Sequence, residues 1–576
     1  MSYLPISVKE AILKINKDWF LPAVQRPYVW GSRYESERYI CKLFDSILKG
    51  YPIGGLIVWE TDQEIPYRRF IGDYCPDNFP ELVDKGQHGK SGKGLIYDGQ
   101  QRLQTLYSCL QFTFNDKILI YDLISNDTDD NDRDKTGFSF VEKNSEIGWN
   151  FVRMNEIFSK NTGEKFQFRR KIIQKTESIS ALQAEIIEQK IDLLWSIFVD
   201  TDKKSLSFYP LKVQEETIVN DVFERLNTGG MSLTLADLVF TEIKKEFANF
   251  EEDLQKSSKK IYKLTHNGYS FNAYSILQLL NLIVKGTSRL DHKKVVKSDR
   301  KTFVDTWKEL EEPLLSFFRD YLYNGFKINN SSIIPRSNAL LPIMVYFYKL
   351  YKIGFKYKDI APISIKKISR FLIKSQINDW NLQSYIDNFT KIIIEQADLI
   401  KGMFDFPSDL IESYVSIDKK RFLEISEKNF IDYRWFALKV LTPNREYLFD
   451  PTIKGRFNPE IDHIYPQRLK GQDENYRKMV DIIWNMQPAP GDVNIYKSNI
   501  HPKLFFTDDY KLKAGEEIFG SKYIDNYDFL FPKNNGKIDF ENEVWSNPKL
   551  FIEKRRELML NFLKEKYDIE LIEDNN

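Results

Sequence analysis

Apolar residues recur along this chain with the spacing of amphipathic helices in some segments and of short strands in others. Ser7 and Glu10 form a capping box, which predicts the start of a first helix. A second helical pattern ends at Gly50, a residue type that favours helix termination. We expect this second helix to bury one face, formed by Tyr39, Ile40, Leu43, Phe44, Ile47 and Leu48.

Short apolar runs of strand type lie between the helical segments of the first 240 residues. They cover residues 56–59, 95–97 and 205–211. A hairpin is also predicted, in which residues 112–114 and 118–121 flank a turn at Asn115 and Asp116.

The balance of helix and strand changes twice, and this predicts three domains. Residues 1–240 should form a mixed α/β domain and residues 241–445 a helical region. Residues 446–576 should form a third domain of short extended pieces, closed by a helix over residues 548–567. The fold class expected is α+β and predominantly helical. The length of 576 residues agrees, since about 150 residues per domain give three or four domains.

Composition excludes a generally basic surface. The chain has 83 Lys plus Arg and 83 Asp plus Glu, so nucleic-acid binding would require local patches. Three well-separated cysteines, no apolar run long enough for a membrane span and no secretion-signal pattern predict a cytoplasmic protein. The densest basic run of the middle region is a candidate DNA track, although most such runs are simply solvated surface: Lys285, Arg289, His292, Lys293, Lys294, Lys297, Arg300 and Lys301.

The sharpest N-terminal motif is a predicted strand that runs into Asp98 and Gly99 before a helix opens at Gln100. Glycine permits a sharp turn and close approach of a ligand, and the helix start directs N–H groups and a positive dipole end toward it. Arg102 could add a bidentate phosphate contact, and Asp98 could hold a magnesium ion or a ribose hydroxyl. An ordinary strand–turn–helix with an exposed arginine explains the same residues equally well.

Two other segments belong with this motif: Gln25-Arg26-Pro27-Tyr28-Val29-Trp30 and Phe223-Glu224-Arg225-Leu226-Asn227-Thr228-Gly229-Gly230. Together the three resemble the N-terminal domain of the GmrSD-like modification-dependent (type IV) restriction endonucleases, which is similar to the ParB and sulfiredoxin nucleotide-binding fold. The resemblance implies a domain that binds or hydrolyses a nucleoside triphosphate. It also implies the residues that face the nucleotide or lie close to it: Gln25, Arg26, Asp98, Gly99, Gln100, Gln101, Arg102, Asn227 and Gly229.

A second motif lies near the C-terminus. Asp462-His463-Ile464 is followed by Asn485 and, nine residues later, by Asn494. This order matches the His-Asn-His (HNH), or ββα-metal, nuclease pattern, in which a strand, a loop, a second strand and a helix assemble one metal site. The closing helix resembles the end of the nuclease domain that accompanies the N-terminal domain in GmrSD-like proteins.

The chemistry of the pattern assigns each residue a role. Asp462 and Asn494 offer hard oxygen ligands, which suit Mg²⁺ or Mn²⁺. His463 is the predicted general base, and Asn485 should fix the loop and orient the His463 ring. Asn494 stands where the pattern often has histidine. Lys497 or Asn499 could contact phosphate or support the site, and His501 is a weaker substitute ligand.

The sequence therefore predicts a Mg²⁺-dependent endonuclease of antiphage defence that acts on double-stranded DNA under control of a nucleoside triphosphate. By resemblance, its targets would be phage genomes with hydroxymethylated or glucosylated cytosine, or a phosphorothioate backbone. Two alternatives stay open: a nucleotide-regulated DNA-binding protein with an inactive nuclease fold, and a nonspecific nuclease that kills the infected host. The oligomeric state, including a homo-oligomer, is also open.

Overall fold

The computed structural model divides the chain into two units, Met1–Glu252 and Asp253–Asn576. A predicted division near residue 445 falls beside residues that the structure does not describe, so the three-domain scheme stays a prediction. The described residues are 2–24, 28, 30–32, 35–63, 66–83, 93–125, 136–174, 180–213, 215, 234–266, 268–328, 330–378, 380–399, 405–418, 425–426, 433–442, 459–469, 473–507, 533–535 and 537–572.

The first unit is built on a seven-stranded mixed sheet with the order β1-β10-β3-β6-β2-β4-β5. The pairs β10–β3 and β6–β2 are parallel, and the others are antiparallel. A second sheet has the order β8-β7-β9. The strands are β1 (Leu4–Ile6), β2 (Trp19–Pro22), β3 (Leu56–Thr61), β4 (Tyr67–Arg68), β5 (Leu82–Val83), β6 (Lys93–Asp98), β7 (Lys117–Asp122), β8 (Phe138–Glu142), β9 (Phe151–Arg153) and β10 (Leu206–Leu211).

Helices cover the sheet of the first unit and bury an aromatic and aliphatic core with it. Trp195 and Phe44 in this core are fully buried. Such cores form because burying apolar surface is the main favourable term in folding. The helices are α1 (Val8–Lys14), α2 (Ser36–Leu48), α3 (Gln100–Gln111), α4 (Met154–Ser159), α5 (Lys165–Gln174), α6 (Ala181–Phe198) and α7 (Leu235–Lys244).

Several predicted elements of the first unit are confirmed. The Ser7–Glu10 capping box starts α1, and three apolar runs form β3, β6 and β10. Two details differ. Tyr39 on α2 is 52% exposed, because the buried stripe of the helix is narrower than predicted. In place of the predicted hairpin, Phe114 makes only an isolated bridge across the Asn115–Asp116 turn, and β7 pairs with β8 and β9.

The described part of the second unit before residue 445 is mostly helical, as predicted for residues 241–445. A π-helical segment, Phe317–Gly325, continues one of its helices. Within the part of the chain that the structure describes, no helix is long and apolar enough to cross a membrane. The helices from residue 250 onward are α8 (Phe250–Leu264), α9 (Ala273–Lys285), α10 (Lys297–Ser316), α11 (Leu341–Lys352), α12 (Pro362–Ile377), α13 (Gln383–Leu399), α14 (Ser408–Asp418), α15 (Arg434–Leu441), α16 (Glu474–Val480), α17 (Gly491–Lys497), α18 (Pro502–Thr507) and α19 (Pro548–Tyr567).

Short strand pairs accompany these helices. The antiparallel pair β12–β13 brings Asp462 opposite Gln487 and His463 opposite Met486. Helix α17 follows β13 directly, and α19 has the bounds predicted for the closing helix. The strands of this unit are β11 (Ile425–Ser426), β12 (Pro459–His463), β13 (Met486–Pro490), β14 (Lys533–Asn534), β15 (Lys537–Ile538) and β16 (Leu571–Ile572).

Candidate functional site

The junction of β6 and α3 forms the centre of the N-terminal candidate site. Asp98 ends β6, Gly99 takes a left-handed φ of 86°, and α3 begins at Gln100. A Cβ atom at Gly99 would lie 2.3 Å from Leu56 Cδ2, so both the backbone conformation and the available space require glycine. The sharp turn predicted here is therefore present.

Arg102 is used inside the protein. Its guanidinium donates to the backbone oxygens of Ile53, Gly54 (2.5 Å) and Gly55 (3.1 Å), and it pairs with Asp98 Oδ2 at 3.3 Å. Burial lowers the pKa of Arg102. These contacts tie the loop before β3 to the first turn of α3. The guanidinium, which was a candidate for a bidentate phosphate contact, thus donates to backbone carbonyls instead.

Gln100 and Gln101 are buried on the other side of the helix start. They line a pocket whose walls also include Leu21 and Phe79. Gln104, one turn further along α3, accepts from Ile71 N at 3.0 Å and donates to Ile71 O at 2.7 Å. The pocket therefore combines apolar walls with amide side chains at a helix N-terminus.

Tyr28, from the segment at residues 25–30, also lines this pocket. The hydroxyl of Tyr28 lies 2.6 Å from Thr105 Oγ1, and Thr105 in turn donates to Gln101 O at 2.8 Å. Burial raises the pKa of Tyr28 well above its usual range. Trp30 of the same motif lines a second opening, together with Tyr39, Lys42 and Arg102. The motif that contains Tyr28 and Trp30 therefore meets the Asp98–Arg102 motif at α3.

Charged side chains in the pocket wall form ion pairs with each other. Lys244 Nζ lies 2.5 Å from Glu251 Oε2, and both side chains are buried. Arg68 pairs with Glu252 and donates to Pro80 O at 3.0 Å. Since both cations have a carboxylate partner, the wall contributes little net positive charge toward a ligand. Four of the residues predicted to face or lie close to the nucleotide fall outside the described residues: Gln25, Arg26, Asn227 and Gly229.

The C-terminal candidate site lies where α17 packs on β12. Adjacent strand residues point to opposite faces, and the partners of Asp462 and His463 differ accordingly. Asp462 is 3% exposed, and its carboxylate accepts from Lys497 Nζ (2.7 Å) and Gln487 Nε2 (2.9 Å). Lys497 also donates to His463 O at 2.6 Å and is itself fully buried.

Asn494 lies one helical turn before Lys497. Its Nδ2 donates to Glu460 Oε2 at 2.8 Å. Glu460 and Asp462 lie two residues apart on one strand face, while Asn494 and Lys497 lie three apart on one helix face. The structure thus places Asp462 and Asn494 on the same side of β12, where Lys497 binds Asp462 and Glu460 binds Asn494.

His463 has a different partner. Its Nε2 lies 3.0 Å from Asp481 Oδ1, and the His463 side chain is 20% exposed. Arg434 Nη1 approaches the same oxygen of Asp481 at 3.9 Å. Asp481 was not predicted as a site residue, because a single acidic residue at the end of the short helix α16 gives no sequence signal. Arg434 had no predicted role in the site.

Asn485 is completely buried and connects two backbone segments. Its Oδ1 accepts from Tyr465 N at 2.9 Å, and its Nδ2 donates to Tyr465 O (3.0 Å) and Val480 O (2.8 Å). Its side chain therefore fixes the residues that follow His463 and the residue that precedes Asp481. Arg555 of α19 donates to Met486 O at 3.0 Å and supports β13, a contact that the sequence did not predict.

The remaining candidates have structural contacts. His501 packs edge-on against the ring of Tyr465, with ring centroids 5.5 Å apart, and burial lowers its pKa. In the basic patch, Lys285 pairs with Asp299 at 2.7 Å and Lys294 with Asp291 at 3.8 Å. Acidic residues thus offset part of the positive charge of the patch that was a candidate for DNA binding.

The oxygen donors near α17 fit a hard divalent cation in chemical type, since they are a carboxylate and an amide. In the described residues, no three His, Cys, Asp or Glu side chains lie close enough together to hold a metal ion. The ammonium of Lys497 neutralises Asp462 where a cation would bind. A metal at this carboxylate would use its remaining lone pairs or displace the ammonium.

Comparison with known families identifies the first unit. Residues 8–244 match the family described as GmrSD restriction endonuclease, N-terminal domain. The first unit therefore contains a GmrSD N-terminal domain. No curated protein matches the chain. The GmrSD N-terminal domain includes all three N-terminal motifs, and the site at α3 lies within it.

Proposed function

We propose that the chain is a DNA endonuclease of antiphage defence, in which an HNH site in residues 446–576 cuts DNA under control of the GmrSD N-terminal domain. One observation carries the nuclease proposal. The antiparallel pair β12–β13 is followed directly by α17, with Asp462 and His463 on the first strand and Asn494 on the helix. This is the order of elements that a ββα-metal site needs.

In the proposed reaction, His463 takes a proton from a water molecule, whose oxygen then attacks the phosphorus atom of the DNA backbone. The bond between phosphorus and the 3′ oxygen breaks, and its electron pair leaves with that oxygen. His463 suits this role because an imidazole nitrogen can accept a proton and because its ring is partly exposed, within reach of a polynucleotide.

Asp462 and Asn494 would hold the Mg²⁺ or Mn²⁺ ion. Such an ion, when bound, stabilises the negative charge that develops on the leaving oxygen. The buried Lys497 holds Asp462 in place and supplies the charge that balances it before a cation binds. Asn485 fixes the loop that carries His463, through its contacts with Tyr465.

In the N-terminal domain we propose that a nucleoside triphosphate binds at the start of α3. The pocket with Gln100 and Gln101 offers apolar walls and amide groups, which suit a base and its polar edge. Asp98 and Gly99 form the adjoining turn. We assign Gln25, Arg26, Asn227 and Gly229 to the same site by family resemblance. Arg102 supports it through the loop at residues 53–55.

The direct test measures cleavage of plain, glucosylated and phosphorothioate double-stranded DNA by the full chain, with each nucleoside triphosphate and Mg²⁺. We expect cleavage of modified DNA, dependent on metal and nucleotide, and its loss in His463→Ala. His266→Asn is the control, since it removes an imidazole that has no assigned role in either site, and asparagine tolerates the left-handed φ of 52° at this position. Equal cutting of plain and modified DNA would favour the nonspecific host-killing nuclease, and wild-type cleavage by His463→Ala would overturn the site.

A second candidate is a nucleotide-regulated DNA-binding protein whose nuclease fold is inactive. The intramolecular partners of both proposed metal ligands favour it, because Lys497 neutralises Asp462 and Glu460 binds Asn494. This candidate predicts nucleotide-dependent DNA binding with unchanged DNA in the wild type and in His463→Ala.

A further inference from the structure

We propose that Asp481 is the positioning residue that sets which nitrogen of His463 carries the proton. The proposal rests on the proposed nuclease function, in which His463 is the base. A single hydrogen bond carries it, because Asp481 Oδ1 lies 3.0 Å from His463 Nε2. Asp481 would act through His463 and touches no substrate atom.

The chemistry of the pair fixes the tautomer. An ionised carboxylate can only accept a hydrogen bond, so Nε2 must donate to it. A neutral imidazole carries one proton, which leaves Nδ1 as the acceptor nitrogen. Nδ1 is then the atom that takes the proton from water. The same carboxylate also stabilises the imidazolium formed when Nδ1 has taken that proton.

The backbone around the pair is held in a way that preserves this hydrogen bond. The side chain of Asn485 binds Tyr465, two residues after His463, and Val480, immediately before Asp481. Since Asn485 is 0% exposed, water does not compete for these bonds. The asparagine of the motif therefore sets the spacing between the imidazole and the carboxylate.

Arg434 gives the carboxylate a second partner. Its Nη1 lies 3.9 Å from the same Asp481 oxygen, and its side chain is 39% exposed. An ion pair at this exposure contributes little to stability. It does favour the orientation in which Oδ1 faces both His463 and Arg434. The carboxylate is thus restrained from the side of α15 as well as by the imidazole.

The first test reads the tautomer directly, without DNA or metal. Imidazole ¹⁵N shifts are measured for the full chain, and the five histidines are resolved by comparison with His463→Ala. We expect His463 to be protonated at Nε2 in the wild type. In Asp481→Asn, whose amide can accept or donate, we expect a mixture of tautomers. An Nδ1-protonated ring in the wild type, or an identical spectrum in Asp481→Asn, would overturn the proposal.

The second test measures cleavage. We expect Asp481→Asn to lower kcat about 10–100-fold while KM for DNA stays unchanged, as for other residues that orient a catalytic ligand. Glu474→Gln is the matched control, because it removes an exposed carboxylate from the other end of α16. Wild-type kcat in Asp481→Asn would refute the positioning role alone. Full cleavage by His463→Ala would refute the proposed function, and the ¹⁵N spectrum still decides whether Asp481 sets the tautomer.

Discussion

The buried ion pair between Asp462 and Lys497 allows a quantitative test of the C-terminal site. The two side chains are 3% and 1% exposed, and their charged atoms lie 2.7 Å apart. Replacing Lys497→Met removes the ammonium and leaves the carboxylate uncompensated. Breaking a buried pair in this way costs about 3–5 kcal/mol of stability. We therefore expect the strands β12 and β13 to open more readily by about this amount.

Hydrogen exchange measures this change locally, which suits a chain with two units whose unfolding need not be a single transition. The opening free energy of amides in β12 and β13 is compared between Lys497→Met and the wild type, with a chelator and with Mg²⁺. If Asp462 binds the metal, Mg²⁺ at about 100 times its Kd should restore about 2.7 kcal/mol to the variant. The wild type should gain less, because its ammonium competes for the carboxylate.

The matched control is Lys554→Met on α19. Lys554 pairs with Glu557 at 3.2 Å, but the two side chains are 56% and 62% exposed, so the loss should stay below about 1 kcal/mol. A change of less than about 1 kcal/mol in Lys497→Met would show that the pair is not buried in solution. An equal gain from Mg²⁺ in both proteins would show that the metal binds elsewhere.

Three further predictions concern the first unit. Arg102→Lys should destabilise the first unit by about 2 kcal/mol, because one ammonium cannot donate to all the carbonyls of residues 53–55 at once. Hydrogen exchange of the amides in that loop measures the change. Unchanged exchange together with loss of nucleotide binding would instead assign Arg102 to phosphate. Hydrogen bonds with Lys204 and Ser7 lower the pKa of Glu10 from 4.5 to about 2. The contribution of Glu10 to stability is therefore present above about pH 4.5 and disappears as the pH falls toward 2. Acid unfolding should show that the difference in stability between the wild type and Glu10→Gln shrinks over that range. Burial raises the pKa of Cys109 and raises that of Cys41 to about 12, so a thiol reagent should label the partly exposed Cys75 first. Rapid labelling of all three cysteines in the folded protein would contradict the burial of Cys41 and Cys109.

Elements with strong local signals were predicted well from the sequence. The capping box at Ser7 depends on residues three apart, and the helix over 548–567 combines proline at its first position with sustained helical spacing. The order of two strands and a helix around Asp462 and Asn494 followed from motif spacing, but helix α16 between the two strands was not predicted. In each case the information lies within a few residues of the element that it specifies.

The partners of the site residues could not be predicted in the same way. Asp462 and Lys497 are 35 residues apart, and His463 and Asp481 are 18 apart, so packing of separate elements decides these contacts. A sequence also cannot tell whether an arginine at a helix start points to a ligand or to a loop. The left-handed Gly54, with a φ of 85°, places its carbonyl within reach of Arg102.

The charge of the site without metal indicates how metal and DNA binding should be linked. Asp462 and Lys497 carry opposite formal charges, so the buried pair offers no net attraction to a phosphate. With a divalent ion bound as well, the same surroundings become positive and complement the charge of the DNA backbone. Because a lysine side chain is long and flexible, its ammonium can move while β12 and β13 stay paired. An active site should therefore bind DNA more tightly in the presence of Mg²⁺, and an inactive fold should bind it equally well with and without Mg²⁺.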